Sequence, residues 1–342
     1  PEHTPEIHRR LRLGRRTWKY ETVSSPRLQW AVAGFFAAWA AARLTAADRF
    51  PPLERAAVPL LSLTPQAAAG AGLAALALSR RGPATTAALA GAALAATLAP
   101  RVIASRQPPA SGPELRVLTV NMHYGKAAGP GIVGLARRLQ VDVLFLQELG
   151  EDGTTRLKDA GLGELLPHMM DDGRTYRYRG SAIYARYPLR EGLTLRPSFA
   201  SQPTARLDLP DGQAVQLVCV HPHPPFPPWV TEAVPRWRAE LETLPDQGDV
   251  PVVLAGDYNA TADHAEFRRL LRRGYVDAAG QIGRGLAPTW GPEPTAGRPA
   301  MLAFDHVVVD PRCAVLATSA HPLPGSDHRG LYAQLRLPAT SV

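Results

Sequence analysis

The sequence predicts an α/β fold of two packed sheets flanked by helices, preceded by three apolar helices. Three observations carry this. Short apolar, β-branched runs recur from residue 115 onward, and several end abruptly in polar residues. Few helical stretches separate them, which fits a sheet sandwich better than a repeating βαβ unit. Before residue 105, three long stretches are almost free of charge.

The chain divides into four parts. Residues 1–27 form a polar tail with Arg9, Arg10, Arg12, Arg15, Arg16, Lys19 and Arg27. Residues 28–104 hold the apolar stretches: Leu28 to Ala47, Ala56 to Ser79, and Ala84 to Ala99, which can extend to Ala104. A bilayer-spanning helix needs about 20 such residues, so a three-helix membrane anchor is expected. A buried soluble α-hairpin is the competing reading. The excess of basic residues in the tail and in Arg80-Arg81 orients both toward the cytoplasm. Three crossings then put everything after residue 105 on the outer face of the cytoplasmic membrane. Residues 105–114 read as a Pro/Ser/Gly linker, and residues 115–342 as the extracytoplasmic domain.

The charge follows the same division. Of 342 residues, 38 are Lys or Arg and 30 Asp or Glu; residues 1–106 take 14 and 5 of these, leaving 24 and 25 for the rest. The basicity belongs to the N-terminal third. The large domain has no overall positive field for a polyanion, which weighs against nucleic acid as a partner. Two cysteines, Cys219 and Cys313, rule out a disulfide framework; whether they pair is left open.

Strands are expected at Leu115–Val120, Val141–Leu146, Ser181–Tyr184, Val215–Val220, Val250–Ala255, Phe304–Val309 and Leu331–Leu337. Helices are expected at Gly131–Gln140 and Ala262–Arg273. The prolines of residues 222–235 make that run a loop. Strand ends deliver Asn121, Glu148, His221, Asp257 with Asn259, and Asp305-His306; a turn delivers Ser326-Asp327-His328. Each is unremarkable singly, since Asp and Asn are ordinary turn residues. Together, carboxylates, amides and imidazoles recur at one end of successive strands, where α/β proteins build ligand sites.

The motifs NMHYG with Asn121, Gln147-Glu148, GSAIYARYPL, VCVH ending at His221, GDYN, FDHV and SDHRG resemble, in this order, the endonuclease/exonuclease/phosphatase superfamily. The resemblance spans residues 115–337. It implies a deoxyribonuclease I-like, four-layer α/β/β/α sandwich that cleaves phosphoester bonds with Mg²⁺, Mn²⁺ being the alternative. It implies Glu148 as the main metal ligand, with Asn121 and Asp327 nearby. Asp257 orients or deprotonates the attacking water, Asn259 holds a phosphoryl oxygen, His328 contacts the phosphate and is oriented by Asp305, and His221 assists the leaving group. His306 and His223 receive no role. Ala185 stands where many members have serine.

The apolar helices, the HPHPP stretch from His221, Pro288-Thr289-Trp290 and the terminal GSDHR look like a membrane-bound branch. That branch includes proteins associated with glycopeptide (teicoplanin) resistance. It implies a membrane phosphohydrolase acting on a lipid-linked phosphate or pyrophosphate. An extracytoplasmic nuclease or phospholipid phosphodiesterase, and a non-enzymatic binder, are the alternatives. Arg268, Arg269, Arg272 and Arg273 form the basic patch that a nuclease would use.

Overall fold

The computed structural model describes residues 25–171, 179–196, 198–291 and 299–339. The basic tail therefore lies outside the described residues up to residue 24. Four helices come first: α1 (Pro26–Leu44), α2 (Pro51–Leu61), α3 (Thr64–Ala77) and α4 (Arg81–Val102). The sandwich follows as β1 (Glu114–Asn121), α5 (Gly129–Arg138), β2 (Val143–Leu149), α6 (Glu151–Asp159), α7 (Leu162–Leu165), β3 (His168–Asp171), β4 (Gly180–Ala185), β5 (Leu189–Glu191), β6 (Thr204–Asp208) and β7 (Ala214–Val220). It closes with α8 (Ala233–Glu242), β8 (Val252–Asp257), α9 (Ala265–Arg272), β9 (Val276–Asp277), α10 (Ala278–Gln281), β10 (Asp305–Val309), β11 (Ala314–Pro322) and β12 (Arg329–Arg336).

Two six-stranded sheets form, ordered β11-β12-β1-β2-β4-β3 and β5-β6-β7-β8-β10-β9. Strand alternation sets the layers. In β1, Leu115 and Val117 face the second sheet, while Leu118 and Val120 face α5 and α6. In β8, Val253 and Ala255 face the first sheet, while Val252 and Leu254 face α8 and α9. The order is helices, sheet, sheet, helices, as the sequence predicts. Cys219 and Cys313 are both buried and do not form a disulfide with each other.

Two expectations are corrected. The proline-rich loop ends at Glu232, because α8 accepts Pro235 in its first turn, where no helical N–H is required. The second apolar stretch is not one helix: α2 and α3 meet at a bend of 77°. Pro65 opens α3 and cannot continue the hydrogen-bond ladder from α2. Among the described residues, α4 alone is long and apolar enough to cross a membrane, and the bent pair makes a second span only if counted together. The helix α1 has the length, but Gln29 and Arg43 interrupt its apolar character.

Helices α1, α3 and α4 pack on one another, and the unit meets the sandwich through α2 and the C-terminal end of α4. The contact is polar and buried. Arg43 Nε and Arg101 Nη2 each lie 2.8 Å from Asp263 Oδ1. Asp48 Oδ2 accepts the Ala265 N–H at 2.6 Å, so a residue 217 positions away caps α9. Arg238 pairs with Glu54 at 2.8 Å, and Val58 joins Val220 and Trp237 in one apolar cluster. The stretch expected as a Pro/Ser/Gly linker is bonded along the sandwich, Ser105 N–H donating to the Gln281 carbonyl and Gly112 N–H to the Leu337 carbonyl.

Candidate active site

The alternation that builds the core also builds the site. Residues 117 and 119 of β1, 217 and 219 of β7, 253 and 255 of β8, and 307 and 309 of β10 share the inward parity. Continued to the strand ends, that parity reaches Asn121, His221, Asp257 and Asp305. The space between the sheets is apolar along its length and polar at this one end. Asp305 lies directly opposite Asp257 across the β8–β10 pair. Gly256 allows the close approach: a Cβ there would sit 1.9 Å from the Val220 carbonyl oxygen of β7.

Glu148 has the wrong parity. It enters the site because a register irregularity follows Leu146 and because its own φ is +53°. His123, Tyr124 and Asn259 also hold positive φ, an uncommon choice for side-chain-bearing residues. Such backbone strain is concentrated here, as at many functional sites.

Asn121 Nδ2 donates to Glu148 Oε1 and to Asp257 Oδ2, both at 3.1 Å, and its Oδ1 accepts the His123 N–H at 2.9 Å. The Tyr124 N–H donates to Glu148 Oε2 at 2.7 Å. His328 stands between the facing aspartates, with Nδ1 2.8 Å from Asp305 Oδ2 and Nε2 3.7 Å from Asp257 Oδ2. Its loop is fixed by Ser326 Oγ, which donates to the Asn121 carbonyl and accepts the His328 N–H. Asp327 accepts from Trp290 Nε1 at 3.1 Å and lies 3.5 Å from His123 Nδ1. His221 Nε2 is 3.9 Å from Glu148 Oε1, and its Nδ1 has no hydrogen-bond partner among the described residues.

All eight residues singled out in the sequence therefore converge on this end of the two sheets. Asn259 follows the strand instead of continuing it. Its N–H donates to Asp257 Oδ1 at 2.8 Å, and its amide donates to the Pro222 carbonyl at 3.1 Å. In this arrangement it ties the β8 end to the loop after His221. His306 lies outside the site, bonded to Asp277 and Ala260 behind it. The sequence marks Thr289 only as part of Pro288-Thr289-Trp290, without the role of its hydroxyl in accepting the Asp305 N–H, and it misses Gln202, which accepts the His221 N–H. Both come from loops brought in by tertiary contact.

Burial pushes the Asp257 carboxyl up to about 7; Asp305 adds to this and His328 opposes it. For His328 burial acts downward, but Asp305 and Asp257 outweigh it and hold the imidazole up at about 10. Burial lowers His221, keeping it neutral. Near neutral pH the site thus holds a protonated His328 beside an Asp257 poised to exchange a proton.

The match to the family model for "Endonuclease/Exonuclease/phosphatase family" covers residues 118–328. The chain belongs to the endonuclease/exonuclease/phosphatase family. It is accordingly a hydrolase of phosphoester bonds. Comparison with curated proteins finds no match. Among solved structures, an endonuclease/exonuclease/phosphatase from Beutenbergia cavernae is similar at 22% identity and a TM-score of 0.51, over 66% of this chain and 72% of that one. A second, from Bacteroides vulgatus, is similar at 17% identity and a TM-score of 0.50, over 66% and 99%. These likenesses concern the fold.

The donor set fits the divalent cation that the family implies. Asp257 and Asp305 lie side by side, Glu148 shares the Asn121 amide with Asp257, and among the described residues Glu148 accepts hydrogen bonds from neutral N–H donors. Oxygen donors suit a hard cation such as Mg²⁺. Asp257, Asp305 and His328 also lie close enough to be ligands. A protonated imidazole has no lone pair to give, so His328 in that state suits proton donation better than metal ligation. Asn121 presents its nitrogen to both carboxylates; a cation between them would favour its oxygen there instead.

The pH dependence follows. As a base, Asp257 works above about 7, and as a donor, His328 works below about 10. A profile of kcat/KM against pH rises through the first value and falls through the second. A cation at Glu148 favours the Asp257 carboxylate, so raising Mg²⁺ moves the rising limb to lower pH. A limb unmoved by Mg²⁺ would separate Asp257 from the metal.

Proposed function

We propose that this chain is a membrane-anchored, Mg²⁺-dependent phosphohydrolase acting on a lipid-linked phosphate or pyrophosphate at the outer face of the cytoplasmic membrane. The observation that carries this reading is the docked helical unit. Its helices expose Trp30, Phe35, Leu73, Leu76 and Leu89, the last three at 68%, 87% and 67%. Water disfavours that much exposed apolar surface, whereas a bilayer accepts it. The ends of α1 and α4 that meet Asp263 belong to one face of the unit, and the Leu78–Arg80 turn to the other. That fits an odd number of crossings with the sandwich on one side.

Two further features favour a lipid substrate. The loop after His221 exposes Phe226 at 50% and Trp229 at 77%, beside the site instead of packed on the sheet. Two of the four arginines at α9 are paired: Arg269 with Glu242 and Glu266, and Arg273, just past the helix, with Asp246. The patch a nuclease would use is thereby partly neutralised.

The division of labour is as follows. Glu148, with Asn121 and Asp327, would hold the Mg²⁺, which when bound would supply charge neutralisation at the phosphate. Asp257 takes the proton of the attacking water. His328, held by Asp305, donates to a phosphoryl oxygen as charge builds. His221 faces the leaving oxygen.

Release of phosphate from isoprenoid phosphates and pyrophosphates, set against nicking of plasmid DNA, tests the reading. DNA cleavage without phosphate release would overturn it. The double variant Phe226→Ala/Trp229→Ala lowers turnover of vesicle-borne lipid by about tenfold and spares a soluble phosphoester, on the order expected from burying two aromatic side chains. Equal losses on both substrates would remove the loop from lipid contact.

A further inference from the structure

His221, His223, Phe226 and Trp229 stand on one loop leading away from the site, and a cation stands beside it. Arg179 is exposed, and its guanidinium carbon lies 3.9 Å from the centre of the Phe199 ring. Phe199 in turn meets the His223 ring edge-on at 4.3 Å. One carboxylate fixes this stack: Glu240 accepts the Phe199 N–H at 2.8 Å and the His223 N–H at 2.7 Å. The Arg179 carbonyl also accepts the Ser201 N–H, next to the Gln202 that holds His221.

Several arginines on the sandwich are paired with carboxylates: Arg186 with Asp142, Arg238 with Glu54, Arg269 with Glu242, Arg312 with Asp310 and Arg336 with Glu114. Arg179 has no carboxylate partner among the described residues. It is stacked, so its plane is oriented, and its five N–H donors are left for a ligand.

The charge balance of the site asks for such a donor. Four carboxylates meet one protonated histidine and the proposed divalent cation. That set accommodates one phosphoryl group at the metal. A second phosphate adds negative charge and needs its own cation, and a planar guanidinium is suited to bind phosphate oxygens in pairs.

We propose that Arg179, held on Phe199 beside His223, is the subsite for a second phosphate joined to the one that reacts, so that the protein selects a diphosphate group over a monophosphate. The assignment rests on the phosphohydrolase reading, and it gives the loop a direction: reacting phosphate at Glu148 and His221, second phosphate at Arg179, apolar chain toward Phe226 and Trp229.

The test compares wild type, Arg179→Ala and Arg179→Lys, full-length in detergent with Mg²⁺. Calorimetry measures binding of inorganic pyrophosphate and of orthophosphate. Wild type binds pyrophosphate more tightly; Arg179→Ala weakens pyrophosphate by about tenfold or more and orthophosphate by less than about twofold, as loss of one charge-assisted contact requires. Arg179→Lys recovers part of the preference. Equal affinity of wild type for both ions, or an unchanged ratio in Arg179→Ala, overturns the subsite. A parallel arm measures kcat/KM on farnesyl pyrophosphate and farnesyl phosphate. If neither lipid is turned over while the pyrophosphate preference depends on Arg179, the lipid reading fails and the subsite stands.

Discussion

Asp257→Asn lowers kcat by about 10²–10⁴-fold, the usual worth of a positioned general base. The substitution keeps the shape and the bond from the Asn259 N–H, but an amide does not take up a proton. Asp257 meets the requirements of a base better than its neighbours. Glu148 is bonded at both oxygens, and Asp305 is paired with His328 Nδ1 at 2.8 Å. Asp257 is buried, sits at about 7, and has its Oδ2 turned toward Asn121 and His328. Single-turnover kinetics with saturating Mg²⁺ separates this effect from metal loss. His328→Gln is expected to fall in the same range without a large change in KM, because it removes a donor to charge that develops during the reaction. If Asp257→Asn retains kcat within about tenfold of wild type, the base lies elsewhere.

Much of this was legible in the sequence because it depends on strand parity. Val117, Leu217, Val253 and Val307 mark the buried face, and counting by two from each arrives at Asn121, His221, Asp257 and Asp305. Glu148 breaks that count. Only the irregular pairing after Leu146 and a left-handed backbone bring it in, and neither has a signature in a single sequence. The turn that places His328 is likewise a tertiary product, fixed by Ser326 against the Asn121 carbonyl. The helices illustrate a different limit. Composition shows that residues 56–79 are apolar, but the bend comes from Pro65 and from the Ser62 hydroxyl lying 3.3 Å from His264. Apolar content alone does not reveal that the anchor leans on the sandwich, because the contact is made by polar residues such as Arg43 and Arg101.

That contact sets the second large effect. Asp263→Asn destabilises the docked state by about 3–5 kcal/mol, the range for breaking a buried ion pair from one side. Asp263 is fully buried, and Arg43 and Arg101 expose only 8% and 10% of their side chains. Without the carboxylate, two guanidinium groups stay in low dielectric with no countercharge. They are relieved only if α1 and α4 move away from α9. Proteolysis between α1 and α2 (residues 45–50), and after α4 at residues 103–106, should then accelerate. Turnover of a vesicle-borne lipid should fall more than turnover of a soluble phosphoester, since Asp263 lies outside the catalytic cluster. The apolar triple replacement Arg43→Met/Arg101→Met/Asp263→Leu removes all the charges together and should restore most of the docking, because desolvation offsets much of what a buried ion pair gains. If Asp263→Asn is cleaved as slowly as wild type, the helices are held by apolar contacts such as Val58 on Trp237, and the charges at the interface contribute little to docking.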